Sequence, residues 1–352
     1  MPVSNKTLMP HSFGPYKNKP RKANFVRTVA PVAGSALALA IALFSLPTIL
    51  SLDLKLEASH GPKTPFPVSV DPARKLIVNN PQADALIQSN ANPQLTAAVG
   101  ETTDLLSQLA TLVASIPLYQ QIAGADKAFV TIQPGYRVEQ VAGAFSSALG
   151  WTAKQRLAFL TSLKSTPPTL TEGEIVPGTY EVPGAATPLD VQNALNDRFT
   201  TQILDRYSTT TASQVPLSDA LTIASLIERE TGGPDDMQQI SGVIWNRLFN
   251  NMPLQIDATL QYAKSTNTNT KSWWPAVLPA DKNIKSAYNT YQHAGLPPGP
   301  IANPSIAAVI AALNPKPTDC LFYFHDKYGN FHCSATYAGH VALLKKYYGQ
   351  GK

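Results

Sequence analysis

Apolar residues recur at helical spacing in several separate segments of the 352-residue chain, and short alternating runs lie between them. Leu95, Val99, Leu106, Leu109, Val113 and Ile116 fall three, four or seven residues apart and make one face of a helix. The run 129-FVTIQPGYRVEQVAGAFSSALGWTAKQRLAFL-160 reads as a short strand, a Pro-Gly turn, and helices around 138–149 and 152–163. The segment 172-EGEIVPGTYEVP-183 predicts a strand that leads into a helix over 188–204. Beyond Pro216, Ser218 is a good N-cap for a helix Asp219–Thr231, and Gly232-Gly233-Pro234 stops it by permitting a left-handed turn and preventing continuation. Asp235 and Asp236 open a second helix, with Met237, Ile240, Ile244 and Leu248 as its buried line and an end near Asn250-Asn251. A short apolar helix over 305–313 and a hairpin-like 320-CLFYFHDKYGNFHC-333 complete the pattern. Helices segregated from small antiparallel strands predict an α+β architecture.

The stretch 226-LIERETGG-233 carries two glutamates two residues apart, which a helix points about 200° apart. Ile223, Leu226, Ile227 and Glu230 follow the i, i+3, i+4, i+7 rule, so Glu230 continues an apolar stripe, whereas Glu228 is expected to look outward. Burial and a helix C-terminus both keep a carboxyl protonated, which suits a general acid. A buried pair with an arginine such as Arg247 is the plainer use of the same glutamate.

Charge separates the chain's N-terminus from the rest. Six of its 28 basic residues, Lys6, Lys17, Lys19, Arg21, Lys22 and Arg27, precede residue 28 without an acid among them; removing them leaves 22 basic residues against 23 acidic ones. That balance gives no argument for nucleic-acid binding. The uncharged run 28–52 is long enough to span a bilayer, and the basic tail 1–27 would keep the N-terminus cytoplasmic with everything after residue 52 outside. A cleaved signal peptide would need a shorter apolar core and an A-x-A site. Residues 53–125 read as a stalk or variable region. The two cysteines, Cys320 and Cys333, flank the hairpin-like segment, but a one-residue register change would turn them to opposite faces, so their pairing stays open. His325, His332 and Cys333 lack the spacing of a metal site, and no metal or organic cofactor is implied. G-x-S-x-G, Walker, Rossmann and zincin patterns are absent.

Four segments, 224-ASLIERET-231, 243-VIWNRLFNNMPLQIDATLQY-262, 287-AYNTYQHAGLPPGPIANP-304 and the tail from 313-LNPKPTDCLFYF-324 to His340, resemble in order and spacing the endolytic murein transglycosylases, or YceG-like proteins. The resemblance covers roughly 217–348 and weakens through 172-EGEIVPGTY-180, where the strand, turn and helix pair of 126–205 are similar to a LysM-like glycan-binding module; an ordinary packing unit would look the same. It implies a transglycosylase catalytic domain over 206–352, on a single-pass protein of the inner membrane. Such a domain cuts peptidoglycan glycan strands between N-acetylmuramic acid and N-acetylglucosamine, leaves 1,6-anhydro ends and terminates nascent strands, with peptidoglycan synthases of the elongation or division machinery as partners. Glu230 matches the family's catalytic acid. Gln255, Asp257, Tyr288, Asn289, Thr290 and Tyr291 match motifs that bind and shape the glycan site. The chain departs from the family at Ala258, where proline is usual, and at Ile175-Val176-Pro177-Gly178-Thr179-Tyr180, which replaces F-x-P-D-T-Y. Two other classes stay open: a hydrolase that adds water with Asp257 as second carboxylate, and a wall-binding protein without catalysis.

Overall fold

The computed structural model describes residues 64–91, 127–267 and 272–349. The run 28–52 and the helix expected over 95–116 lie outside them. The first described segment makes a two-residue hairpin, β1 (Val70–Asp71) with β2 (Leu76–Ile77), and a helix α1 (Pro81–Ala91). Part of the region read from sequence as a stalk or variable region, it is docked on the core. Phe66, Val70, Ala83 and Ile87 are buried in the core, and Asn314 donates to the Pro67 carbonyl at 2.7 Å. Four apolar residues spread over more than twenty positions give no periodicity to read.

A strand–helix–helix–strand unit follows: β3 (Lys127–Ile132), α2 (Val138–Leu149), α3 (Ala153–Ser165) and β4 (Gly178–Pro183). β3 and β4 pair antiparallel with Val130 opposite Tyr180. Gly150 takes the left-handed conformation (φ 63°) that ends α2, and Thr152 caps α3 by accepting from the Gln155 amide. Phe145, Phe159, Leu163 and Tyr180 fill the space between sheet and helices. α4 (Pro188–Gln202), capped by Thr187, and the short α5 (Thr209–Gln214) lead on to α6 (Leu217–Glu230).

α6 is the centre of the molecule, with every residue from Ala220 to Ile227 buried. It begins two residues before the expected start, with Pro216 in the cap position, and Ser218 turns its hydroxyl to Asp219 instead. Its end also differs from expectation. Thr231 is extended (φ −69°, ψ 140°), and neither Gly232 nor Gly233 has a positive φ. The chain is stopped by side chains: Thr231 Oγ1 bonds Asp236, and the Gly232 amide donates to Asp236 Oδ2 at 3.0 Å.

α7 (Met237–Phe249) packs on α6 with Met237, Ile240 and Ile244 inward. At Gly242 a Cβ would stand 2.4 Å from the Lys316 carbonyl oxygen, so only glycine allows that approach. α8 (Asp257–Asn267), then α9 (Ile306–Leu313), the hairpin β5 (Phe322–His325) with β6 (Phe331–Ser334), and α10 (Tyr337–Tyr348) complete the described chain. α9 is buried from Ala307 to Leu313 and lies against α1, α6 and α7. In the hairpin, Tyr323 faces Cys333 and Phe324 faces His332. Cys320, just before β5, is joined to Cys333 in a disulfide with Cα atoms 5.7 Å apart. The described residues are thus α+β, with helices around small antiparallel sheets.

Candidate active site

Glu230 is the last residue of α6, and its environment is assembled from three other elements. Tyr323 on β5 donates its hydroxyl to Glu230 Oε2 at 2.8 Å. The backbone amide of Ala258, in the first turn of α8, also faces the carboxylate. Burial raises the Glu230 pKa above the usual carboxylate range. The charge of Asp257 pushes the same way, while Tyr323, the Ala258 amide and His325 pull it down. Burial and the neighbouring Glu230 hold the Tyr323 hydroxyl well above its ordinary value, so Tyr323 stays protonated and has a hydrogen to donate to the Glu230 anion. The result is a shielded carboxyl biased toward its protonated form that still has partners for its anion.

Arg247 on α7 does not pair with Glu230. Its Nε donates to the Leu321 carbonyl at 2.6 Å and its Nη1 to the Leu254 carbonyl at 2.5 Å. One guanidinium therefore fixes both the approach to β5, which carries Tyr323, and the loop that leads into α8. His325, on the same face of β5 as Tyr323, contacts Asp236 Oδ2 at 2.6 Å. Asp236 in turn fixes the turn after Glu230. His332 contacts Asp326 at 2.9 Å, and Cys333 is in the disulfide.

The other residues selected from sequence divide by burial. Asp257 is exposed and accepts from the Tyr291 hydroxyl at 2.6 Å. Gln255 is exposed too, on a left-handed backbone (φ 52°), with its amide donating to the Thr290 carbonyl at 3.0 Å. Asn289 and Thr290 are buried and satisfied by the protein itself. Asn289 donates to the carbonyls of Lys282 and Ile284, and Thr290 Oγ1 accepts from the Ile256 amide at 3.0 Å. These two shape the loop and present no side chain to solvent. Tyr288 is half-buried and packs on Tyr262, with ring centroids 4.8 Å apart.

Glu228 corrects the sequence reading. It does not look outward: its Oε2 accepts from the Ser305 amide at 2.9 Å and from the Ser305 hydroxyl at 2.7 Å, at the N-terminus of α9. A central helix surrounded on all sides has no outward face. Tyr323, His325 and Asp236 were not selected from sequence, although alternation in 322-FYFH-325 already puts Tyr323 and His325 on one face.

The model of the YceG-like family matches residues 101–346, which is more than half of the chain. The chain belongs to the YceG-like family. Among its YceG-like relatives, one from Bacillus subtilis (strain 168), named endolytic murein transglycosylase, is 32% identical over 238 residues, covering 62% of this chain and 64% of the relative. A protein of the same name from Streptococcus pneumoniae (serotype 2, strain D39) is 30% identical, over 56% of this chain and 40% of that one. The chain thus spans less than two thirds of the length of either. The crystal structure of a YceG-like protein from Listeria monocytogenes is similar at a TM-score of 0.53 and 26% identity, over 64% of this chain and 81% of that chain.

Proposed function

We propose that the chain is an endolytic lytic transglycosylase of peptidoglycan, with Glu230 as its acid and base. The observation that carries this reading is a shielded carboxyl with a raised pKa that receives a hydrogen bond from Tyr323, near the exposed Gln255 and Asp257 and the half-buried Tyr291 that bonds Asp257. Glu230 protonates the glycosidic oxygen between N-acetylmuramic acid and N-acetylglucosamine. The N-acetyl group of muramic acid supports the positive charge at C1. The Glu230 carboxylate, stabilised by Tyr323 and the Ala258 amide, then takes the proton of the C6 hydroxyl, whose oxygen closes the 1,6-anhydro ring. No water is consumed, so one positioned carboxyl suffices where ordinary glycosidases need two. The names of the relatives support this chemistry. Digesting sacculi with the full chain and weighing the muropeptides tests it: anhydro ends lack one water, and products heavier by one water would make the protein a hydrolase.

The strand–helix–helix–strand order of 127–183 supports a LysM-like glycan-binding role for that unit. The uncharged run 28–52 after a basic tail supports a single-pass anchor, with strand cleavage on the outer face beside the synthases that extend those strands. No helix among the described residues is long and apolar enough to cross a membrane. A reporter active only outside the cytoplasm, fused after residue 60, should be active and membrane-bound; release of a soluble form would exclude the anchor.

A further inference from the structure

Two adjacent tryptophans, Trp273 and Trp274, lie outside all the motifs above. Trp273 is 39% exposed, which is unusual for the largest apolar side chain, and Trp274 next to it is half-buried. Each is backed by an arginine. The Arg137 guanidinium lies 5.6 Å from the Trp273 ring centroid, and that of Arg229 lies 4.0 Å from the Trp274 ring. The first of these arginines is firmly placed. Arg137 is only 3% exposed, is held by Ser265 and Thr266 of α8 at 2.5 and 3.1 Å, and lies 4.2 Å from the Tyr262 ring. Arg229 is the residue immediately before the proposed acid.

These contacts define a direction. Glu230 meets the first turn of α8 at Ala258, Tyr262 lies one turn further along, and Ser265 and Thr266 near the far end hold the arginine that supports Trp273. At 1.5 Å per residue, Thr266 is about 12 Å along the helix from Ala258. Trp273 is thus tied through Arg137 to the end of α8 away from the acid, whereas Trp274 rests on Arg229, the neighbour of the acid. A flat indole, half uncovered and made rigid by a cation beneath it, loses little freedom on binding and can cover the apolar face of a pyranose ring.

We propose that Trp273 and Trp274 form a stacking platform for sugar rings of the glycan strand, running outward from the acid with Trp273 at its far end. The inference rests on the glycan-cleaving reading above. An endolytic enzyme must hold the strand on both sides of the cut, and this platform supplies distant contacts that favour long strands over short ones.

The test uses the full chain carrying Glu230→Gln, so that substrate is bound without turnover. It is titrated with peptide-free glycan strands and, separately, with a tetrasaccharide of the same polymer. Adding Trp273→Ala should weaken long-strand binding about tenfold, equivalent to about 1.4 kcal/mol, and change tetrasaccharide binding less than about twofold. Trp273→Phe should restore most of the loss, because it keeps an aromatic face. Trp274→Ala, as a second variant, should also weaken long-strand binding. Long-strand affinities of both alanine variants within about twofold of the parent would overturn the platform, as would an unchanged glycan affinity with a loss of binding to anionic phospholipid vesicles. A parent that binds neither glycan would overturn the glycan-cleaving reading and the platform with it, an outcome distinct from unchanged affinities.

Discussion

Glu230 stands between two helix ends of opposite polarity, the C-terminus of its own α6 and the N-terminus of α8, and its proton affinity is a balance that single substitutions should move in opposite directions. Glu230→Gln keeps volume but cannot deliver a proton, so cleavage should fall about 10²–10⁴-fold with glycan binding retained, as measured by muropeptide release and strand affinity. A reaction that needs the protonated acid is lost as pH rises through the acid's pKa. Tyr323→Phe removes a donor to the anion, raises that pKa further and should move the alkaline limb of the pH–rate profile upward. Ala258→Pro should move it the same way: proline has no amide hydrogen and is tolerated in a first helical turn. Asp257→Asn removes a neighbouring negative charge and should move the limb down. Identical limbs in all three variants would show that these groups do not govern the acid. The family's usual proline is thus replaced here by a residue whose amide touches the chemistry. The helical period alone selected Glu230; it could not show which residues of distant β5 and α8 meet it.

At the scale of elements, Glu228 links α6 to α9. Its carboxylate accepts both the amide and the hydroxyl of Ser305, and that hydroxyl also receives the Ala308 amide at 3.2 Å. Glu228→Ala would leave a poorly solvated amide without a partner at the start of a buried helix, at a cost of about 1–3 kcal/mol. The denaturation midpoint should fall accordingly, and Glu228→Gln, which keeps an acceptor oxygen, should lose less. Equal midpoints for parent and alanine variant would contradict the cap. The hairpin gives a second element-scale expectation. Thiol labelling of the unfolded, unreduced chain should find no free cysteine, and reduction should expose both Cys320 and Cys333. Helices α2 and α7 were legible to within a residue or so because their apolar period is local. The β3–β4 pairing, across residues 127 and 183, was not, since strand partners are chosen by contacts far apart in sequence. The docking of residues 64–91 was hidden for the same reason.

Across the described residues, the strand–helix–helix–strand unit meets the α6–α9 core at a polar seam. Asn303, just before α9, accepts from the amides of Gly173 and Ile175 at 3.0 and 2.9 Å and donates to the Tyr136 carbonyl and to Glu172 at 2.9 Å each. Glu172 also accepts from the Val138 amide at 3.1 Å. Gly173 (φ 92°) passes so close to Pro300 that a Cβ would stand 2.5 Å from its ring, which requires glycine there. Burial, aided by the charge of Glu139 and opposed by Arg137 and the two hydrogen bonds, pushes the Glu172 pKa from the usual 4.5 up to about 8. The folded protein therefore holds a proton that the unfolded chain releases near 4.5. Between those values the folded state binds more protons, so the contribution of Glu172 to stability is complete below the unfolded pKa and is lost as pH rises through about 8. Glu228 and Glu230, also raised, act with the same sign. Glu172→Gln keeps an oxygen to accept from Val138 and Asn303 but has no charge to desolvate. Its melting temperature should fall less steeply than the parent's between about pH 5 and pH 9, with the largest relative gain at the alkaline end, where the parent's seam holds a buried carboxylate. Parallel melting curves over that range would mean that Glu172 carries its charge freely and that the seam does not sense pH.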